Sequence, residues 1–201
     1  MHLRFAALFL LVLAPFARAT SVVPPDFPAL VAEADAIYRG RVTTVEARRV
    51  ERPDGGSVIK TFVTLAVQRT LKGTEQKDVT LEFLGGVIGD ETLEVSGVPK
   101  FTVGQQGIVF VQQNGRQFCP LVRLAHGSYR IAHDASAQKD YVQRDNGLPL
   151  NDVDEVELPI SETPLASALR ADASRALSPA DFEAKIVTEI RRPSPSRVLL
   201  R

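Results

Sequence analysis

The sequence predicts a mainly β fold: a small barrel of five to six strands, preceded by a short N-terminal helix and followed by a C-terminal helical extension. Three features lead to this prediction. Residues 58–68 alternate between apolar and polar side chains. The run 108–111 is rich in β-branched and aromatic residues and is followed by Asn114-Gly115. Gly40 lies inside a predicted strand, where a glycine often marks a bulge or bend that lets one strand serve two sides of a barrel.

A hairpin over residues 101–122 is the predicted centre of the barrel. Asn114-Gly115 stands where a two-residue turn requires positive backbone φ. Pro120 has no backbone N–H, so the second strand is expected to be an edge strand or to end there. Because an isolated hairpin is only marginally stable in water, the other predicted strands must pack against it.

A short helix and three strands are predicted before this hairpin. Asp26 is placed to cap the helix. One helix face would carry the apolar residues Phe27, Leu30, Val31 and Ala34. The strands are expected over 36–50, over 58–68 and around 79–83, with a glycine-rich loop over 85–99 in which Leu93 and Val95 form one short strand.

After the central hairpin, a last hairpin is predicted from strands at 127–132 and 140–143. Ser178 and Pro179 form a capping signature that opens a C-terminal helix. The predicted organisation is a β domain over 26–144, a linker over 145–177, a helix over 178–192 and a flexible tail over 193–201.

The first nineteen residues have the pattern of a secretory signal peptide. A basic start precedes an apolar run, and Ala17-Arg18-Ala19 offers small residues for cleavage after Ala19. A retained membrane anchor is the alternative, but it needs about 18 or more uninterrupted apolar residues, and Pro15 and Arg18 interrupt this run. We therefore expect a mature protein that has no membrane span and is periplasmic or extracellular.

Charge and cysteine content narrow the classes of partner and of chemistry. The chain has 24 basic and 24 acidic residues, and cleavage removes Arg4 and Arg18, which leaves 22 against 24, a formal charge of −2. Nucleic acid or an anionic membrane would favour a concentrated basic field, so neither is expected as a partner. Cys119, the single cysteine, cannot form an intramolecular disulfide; it is interpreted as a small apolar residue, with a reactive or intermolecular thiol as the alternative.

The histidines provide the main alternative, an exported hydrolase that uses His126, His133 and Asp134. No G-x-S-x-G motif is present, and two histidines without further ligands at short spacing do not make a zinc site. The glycines of 85–89 match no phosphate-binding loop, because acidic residues follow them instead of a helix. Asp90, Glu91 and Glu94 are too few for a typical calcium loop. We predict no catalytic residue, no metal and no cofactor.

A binding surface on the loop at 85–99 is the preferred functional hypothesis, since irregular loops on a rigid β scaffold usually carry function. The candidate binding residues are Val87, Ile88, Asp90, Glu91, Val98 and Phe101. We expect a non-enzymatic module that binds a protein or glycan partner. An envelope structural protein without a specific ligand is a further alternative.

Several segments resemble a group of uncharacterised exported bacterial proteins. These are A-D-A-I-Y-R-G-R-V at 34–42, T-F-V-T-L-A-V-Q-R-T-L-K-G at 61–73, L-G-G at 84–86 and G-V-P-K-F-T-V-G at 97–104. The strand order also resembles the oligonucleotide/oligosaccharide-binding barrel of netrin-like modules, which include tissue inhibitors of metalloproteinases. Those inhibitors act through an N-terminal cysteine and contain several disulfides. The single cysteine of this chain does not match that pattern, so the resemblance implies a fold and no inhibitory mechanism.

Overall fold

The structure is a computed structural model that describes residues 22–160 and 173–192. The predicted signal peptide, the predicted tail and part of the predicted linker lie outside these residues. In chain order the elements are α1 (Phe27–Glu33), β1 (Ala36–Glu51), β2 (Ser57–Lys72), β3 (Asp78–Leu84), β4 (Gly86–Ile88), β5 (Glu91–Leu93), β6 (Gln106–Val111), β7 (Ser128–Asp134), β8 (Lys139–Arg144) and α2 (Pro179–Arg191), with short 3-10 helices at Leu124–Gly127, Val153–Glu157 and Ala173–Arg175.

The mainly β prediction is confirmed, but the strands do not close into the predicted small barrel. Six antiparallel strands form one open sheet in the order β3-β2-β1-β6-β7-β8, and β4 and β5 form a separate small hairpin. The β3 edge is covered by a loop instead of a strand. The Asn114 side chain accepts from Glu82 N (3.1 Å) and donates to Thr80 O (2.8 Å), while Phe118 O accepts from Leu84 N (2.7 Å). These bonds satisfy backbone groups on the β3 edge that another strand would bind if the sheet closed into a barrel.

The opposite edge, β8, is covered by the chain that follows it. Val142 N donates to Leu177 O and its carbonyl accepts from Leu150 N, both at 2.9 Å. Leu150 and Val156 belong to the predicted linker, and both are fully buried. The described part of the linker therefore packs on the sheet.

The central hairpin is only half formed. β6 is present, but the chain that runs back beside it forms an isolated bridge between Leu121 and Val111 instead of a second strand. The intervening residues 112–118 leave β6 to cover the β3 edge, and Pro120 has no N–H to continue a ladder. β6 pairs with β7 instead, with Ile108 opposite Tyr129.

β1 and β2 form a long antiparallel pair that extends past the rest of the sheet. β6 pairs with β1 only as far as Arg41, whereas β2 pairs with it to Glu51. The prediction of a bulge at Gly40 is confirmed by a shift of register between Arg39 and Gly40. We call residues 43–51 and 57–64 the arm.

The sheet has an apolar core on both faces, since alternate residues of β6 enter different clusters. Ile108 and Phe110 join the helices, and Val109 and Val111 join the inward residues of β2 and β3. In the helical cluster, Phe182 of α2 lies 5.0 Å from Tyr129, measured between ring centroids. Both helix caps match the sequence prediction: Asp26 Oδ1 accepts from Ala29 N, and Ser178 Oγ accepts from Asp181 N.

A buried carboxylate also attaches α2 to the sheet. Glu183 is 1% exposed, and its two carboxylate oxygens accept from Arg39 (2.9 Å) and Arg69. The two arginines stand opposite each other on β1 and β2. A charge buried in this way is stable only while it stays paired.

Candidate functional site

An open apolar groove of about 400 Å³ lies between the arm and the segment that leads from β3 to β6. Its lining residues are Val45, Thr61, Val63, Phe83, Leu84, Gly85, Gly86, Val87, Thr92, Leu93, Glu94, Val95, Val98, Pro99, Lys100 and Phe101. Most of these side chains are hydrocarbon. We call this set the apolar groove.

One wall of the apolar groove is the β4-β5 hairpin, which lies directly against the arm. Gly85 N donates to Ile59 O (2.8 Å), and the Thr61 hydroxyl donates to Gly85 O (2.7 Å). A Cβ atom on Gly86 would lie 2.5 Å from Thr61 Oγ1 and 3.0 Å from Ala47 Cβ. Glycine is therefore required at position 86, because any larger side chain there would collide with side chains of the arm.

The floor of the apolar groove is part of the sheet core. Val63 and Phe83 are almost fully buried, and Phe101 packs on Phe83 with ring centroids 5.3 Å apart. Two valines remain accessible on the walls: Val45 is 37% exposed and Val87 is 60% exposed. A rigid floor with accessible apolar walls is typical of a preformed binding site.

Two exposed ion pairs lie at the border of the apolar groove. Lys100 Nζ lies 2.9 Å from Glu94 Oε1, and Arg49 Nη2 lies 2.6 Å from Glu91 Oε2. The hydrogen bond from Lys100 lowers the pKa of the Glu94 carboxyl below its usual value. Exposed pairs of this kind contribute little to stability, so these side chains are able to exchange partners.

The structure brings half of the predicted binding residues together. Val87, Val98 and Phe101 line the apolar groove, whereas Ile88, Asp90 and Glu91 do not. Asp90 and Glu91 lie at the exposed turn and start of β5.

Sequence reasoning missed the contribution of the three long strands. Val45, Val63 and Phe83 line the apolar groove from β1, β2 and β3. The alternation of apolar and polar residues along β2 and β3 marks Val63 and Phe83 as inward-facing, so these two residues could have been identified from the sequence. Nothing in the sequence indicated that the loop at 85–99 would lie over them.

The three side chains of the hydrolase alternative have different surroundings. His126 is 7% exposed, and its Nδ1 has no hydrogen-bond partner among the described residues. Burial, helped by the charge of Arg144, lowers the pKa of His126 to about 4. His133 is exposed and its Nδ1 lies 2.8 Å from Asp140 Oδ1, while Asp134 Oδ1 accepts from Ser136 N (2.8 Å). These contacts hold local turns and strands; none of them joins the three residues.

Cys119 is a buried core residue with 1% exposure. Burial raises the pKa of its thiol to about 12. The nucleophilic form of cysteine is the thiolate, so this thiol is protonated and shielded at neutral pH. The apolar interpretation of Cys119 fits its place in the cluster beneath the apolar groove.

In 22–160 and 173–192, no three His, Cys, Asp or Glu side chains are grouped so that they could hold a metal ion. Across the same ranges, no helix is long and apolar enough to cross a membrane.

No protein-family model matches the chain, and neither does any curated protein. The apolar groove is therefore the feature from which a function is inferred.

Proposed function

We propose that this chain is an exported, non-enzymatic binding module whose apolar groove receives an apolar segment of a partner protein. The single observation that carries the proposal is the groove itself, about 400 Å³ of open space lined mostly by hydrocarbon. Ligand sites generally fall in a range of about 300–1,000 Å³. An accessible apolar surface with a charged border is the usual mark of an interaction site.

A protein ligand is favoured over a glycan because only four of the sixteen residues that line the groove carry a polar side chain. The Thr61 hydroxyl donates to a backbone carbonyl, and Glu94 and Lys100 bind each other. A sugar would need several free donors and acceptors, together with an open aromatic face. Phe83 offers no such face, since it is 2% exposed, and the partly buried ring of Phe101 packs on Phe83. Aliphatic side chains of a protein segment match the lining better.

Export is part of the same proposal. The pattern of residues 1–19 and the resemblance to exported bacterial proteins support cleavage after Ala19 and a periplasmic or extracellular location. The expected charge of −2 supports neither nucleic acid nor an anionic membrane as the partner. We add no catalytic role, because His126 is buried and the exposed His133 pairs with Asp140 instead of Asp134.

The test is capture with matched variants. Residues 20–201 are immobilised and exposed to native envelope and secreted fractions, beside Val87→Asp and Val103→Asp. Both valines are 60% exposed, but only Val87 lines the apolar groove. We expect one protein to be retained by the parent and by Val103→Asp and lost from Val87→Asp.

The captured protein is then purified and its affinity for all three forms is measured. A partner that binds Val87→Asp as tightly as the parent would overturn the proposal. Loss of binding after enzymatic removal of glycans from the partner would show that the ligand is a glycan, which also contradicts it.

A further inference from the structure

Among the described strands, none pairs with one edge of β1 in the arm. β6 pairs with β1 from Ala36 to Arg41. Two backbone hydrogen bonds continue the cover by one residue, from Val42 N to Gln105 O (2.8 Å) and from Gly104 N to Val42 O (2.9 Å). Beyond this point, no described strand pairs with β1 on this side over residues 43–51. An open edge of this length is a template for another strand.

The register with β2 identifies the backbone groups on this edge. Arg52 N donates to Gly56 O (2.7 Å), so the Arg52 peptide group points toward β2. The pairing is regular from Thr44 to Glu51, and peptide groups alternate in direction along a strand. The N–H and C=O groups of Val45, Ala47 and Arg49 therefore point away from β2.

The side chains along the same stretch are divided between two faces. Val45 lines the apolar groove, and Arg49 is paired with Glu91 of β5. Glu46 and Arg48 lie on the opposite face, where the Arg48 guanidinium stands 5.1 Å from the ring centre of Phe62. Within the chain these two side chains pair with each other, Arg48 Nη2 lying 2.5 Å from Glu46 Oε2, and both stay more than half exposed, at 57% and 54%. An exposed pair of this kind is weak, so both groups can exchange partners.

These charges are self-complementary in one antiparallel register. When two identical antiparallel strands pair about a two-fold axis perpendicular to the sheet, each side chain lies on the same face in both copies. Residues directly opposite each other also share a face, so the axis must pass through a position where a residue meets its own copy. An axis at Ala47 places Glu46 opposite Arg48 of the second copy, twice. An axis at Arg48 would place the two Arg48 side chains together, and an axis at Glu46 would place the two Glu46 side chains together. Of these three registers, only the one centred on Ala47 pairs opposite charges, and it also uses the whole of 43–51; cross-strand charge pairs of this kind are stabilising.

We propose that the chain forms a two-fold dimer by antiparallel pairing of β1 edges over 43–51, centred on Ala47. The dimer joins the two sheets through the hydrogen bonds of Val45, Ala47 and Arg49. Arg49 of the second copy then lies opposite Val45, at the border of the apolar groove. A second copy is the occupant because the charge pattern of the edge complements itself.

Sedimentation analysis of residues 20–201 over a range of concentrations tests this interface. Glu46→Arg places arginine opposite arginine, and Arg48→Glu places glutamate opposite glutamate. We expect each single variant to weaken the dimer roughly tenfold or more, since two cross-strand pairs become repulsive. The double variant Glu46→Arg/Arg48→Glu restores opposite charges and should dimerise like the parent.

Two further variants separate edge pairing from other causes. Lys77→Glu changes the net charge as much as Arg48→Glu does, but its exposed residue lies outside the arm; it should leave the dimer intact. Ala47→Pro removes an N–H group that points to the open edge. Proline is tolerated at such an edge position, so the variant should fold but remain a monomer.

A parent that stays monomeric at its highest soluble concentration would overturn the proposal. A double variant that fails to recover the dimer would overturn it as well, as would single variants that dimerise like the parent. Val87→Asp should keep the dimer, because its side chain is not on the edge. Partner binding and dimerisation can therefore fail independently.

Discussion

Phe101, from the segment that leads into β6, packs on Phe83 of β3 with the ring centroids 5.3 Å apart and the ring planes tilted by 42°. This contact ties an otherwise irregular segment to the buried face of the sheet. Phe83 belongs to the core cluster, and Phe101 is packed against that cluster. This aromatic pair therefore joins the segment that leads into β6 to the floor of the apolar groove.

Phe101→Ala should lower the free energy of unfolding by about 2 kcal/mol, less than a fully buried phenylalanine because the ring is only partly buried. Urea unfolding followed by circular dichroism measures the change. Phe118→Ala is the control, since that ring is 47% exposed and does not line the groove. Equal effects of the two variants would contradict the role given to the Phe101 ring.

Glu183→Gln should destabilise the protein by about 2 kcal/mol, because it leaves Arg39 and Arg69 without their buried counter-charge. We place the loss below that of a fully buried pair, since the two arginine side chains are 25% and 58% exposed. Chemical denaturation measures it. Glu189→Gln on the same helix, where the partner Arg192 is exposed, should cost well under 1 kcal/mol. A similar loss in both variants would show that Glu183 does not anchor α2.

Stability should fall in acid because of His126. Its pKa is about 4 in the folded chain and about 6.5 when unfolded, so the unfolded chain binds the proton first. The contribution of His126 to the free energy of unfolding is therefore lost as the pH falls from about 6.5 to about 4, by at most about 1.4 kcal/mol per pH unit. Above this window the contribution is constant.

His126→Gln removes the titrating group, so its stability should depend less on pH across that window than the stability of the parent. Burial raises the pKa of Asp145, which acts in the opposite direction, but Asp145 is present in both proteins and cancels in the comparison. His133→Gln serves as the exposed control. A parent and a His126→Gln variant with parallel pH profiles would contradict the buried, neutral histidine.

Cys119 should react very slowly with a thiol-specific disulfide reagent in the native protein at neutral pH. The thiol is buried and its pKa is about 12, so almost no thiolate is exposed to the reagent. Absorbance of the released thiolate follows the reaction, and full reaction in denaturant confirms that the thiol is free. Rapid reaction of the folded protein would restore the alternative of a functional thiol.

Local features of the fold could be predicted from the sequence because their causes lie within a few residues. Asp26 and Ser178 cap helices through bonds to residues three positions away. The alternation of β2 marks its inner face without reference to any other strand. These elements were therefore placed correctly.

The open sheet and the full lining of the groove could not be predicted, because both depend on contacts between distant residues. Asn114 reaches Thr80 across 34 positions, and this contact draws the expected hairpin away from β6. Turn propensity identified the conformation of Gly115, whose φ is +76°, but not the edge that the turn would cover. In the same way, Val45 and Val87 line one groove although they lie in different strands far apart in the sequence.

Site-specific photocross-linking tests the central claim, that the apolar groove holds a partner protein, most directly. A photoreactive phenylalanine replaces Val87 or Val103, two valines with equal exposure of which only the first lines the groove. The labelled proteins, residues 20–201, are irradiated with the native envelope and secreted fractions. We predict one cross-linked partner from position 87, absent from position 103 and suppressed by excess unlabelled parent. The same products from both positions, or no product from position 87, would contradict the claim.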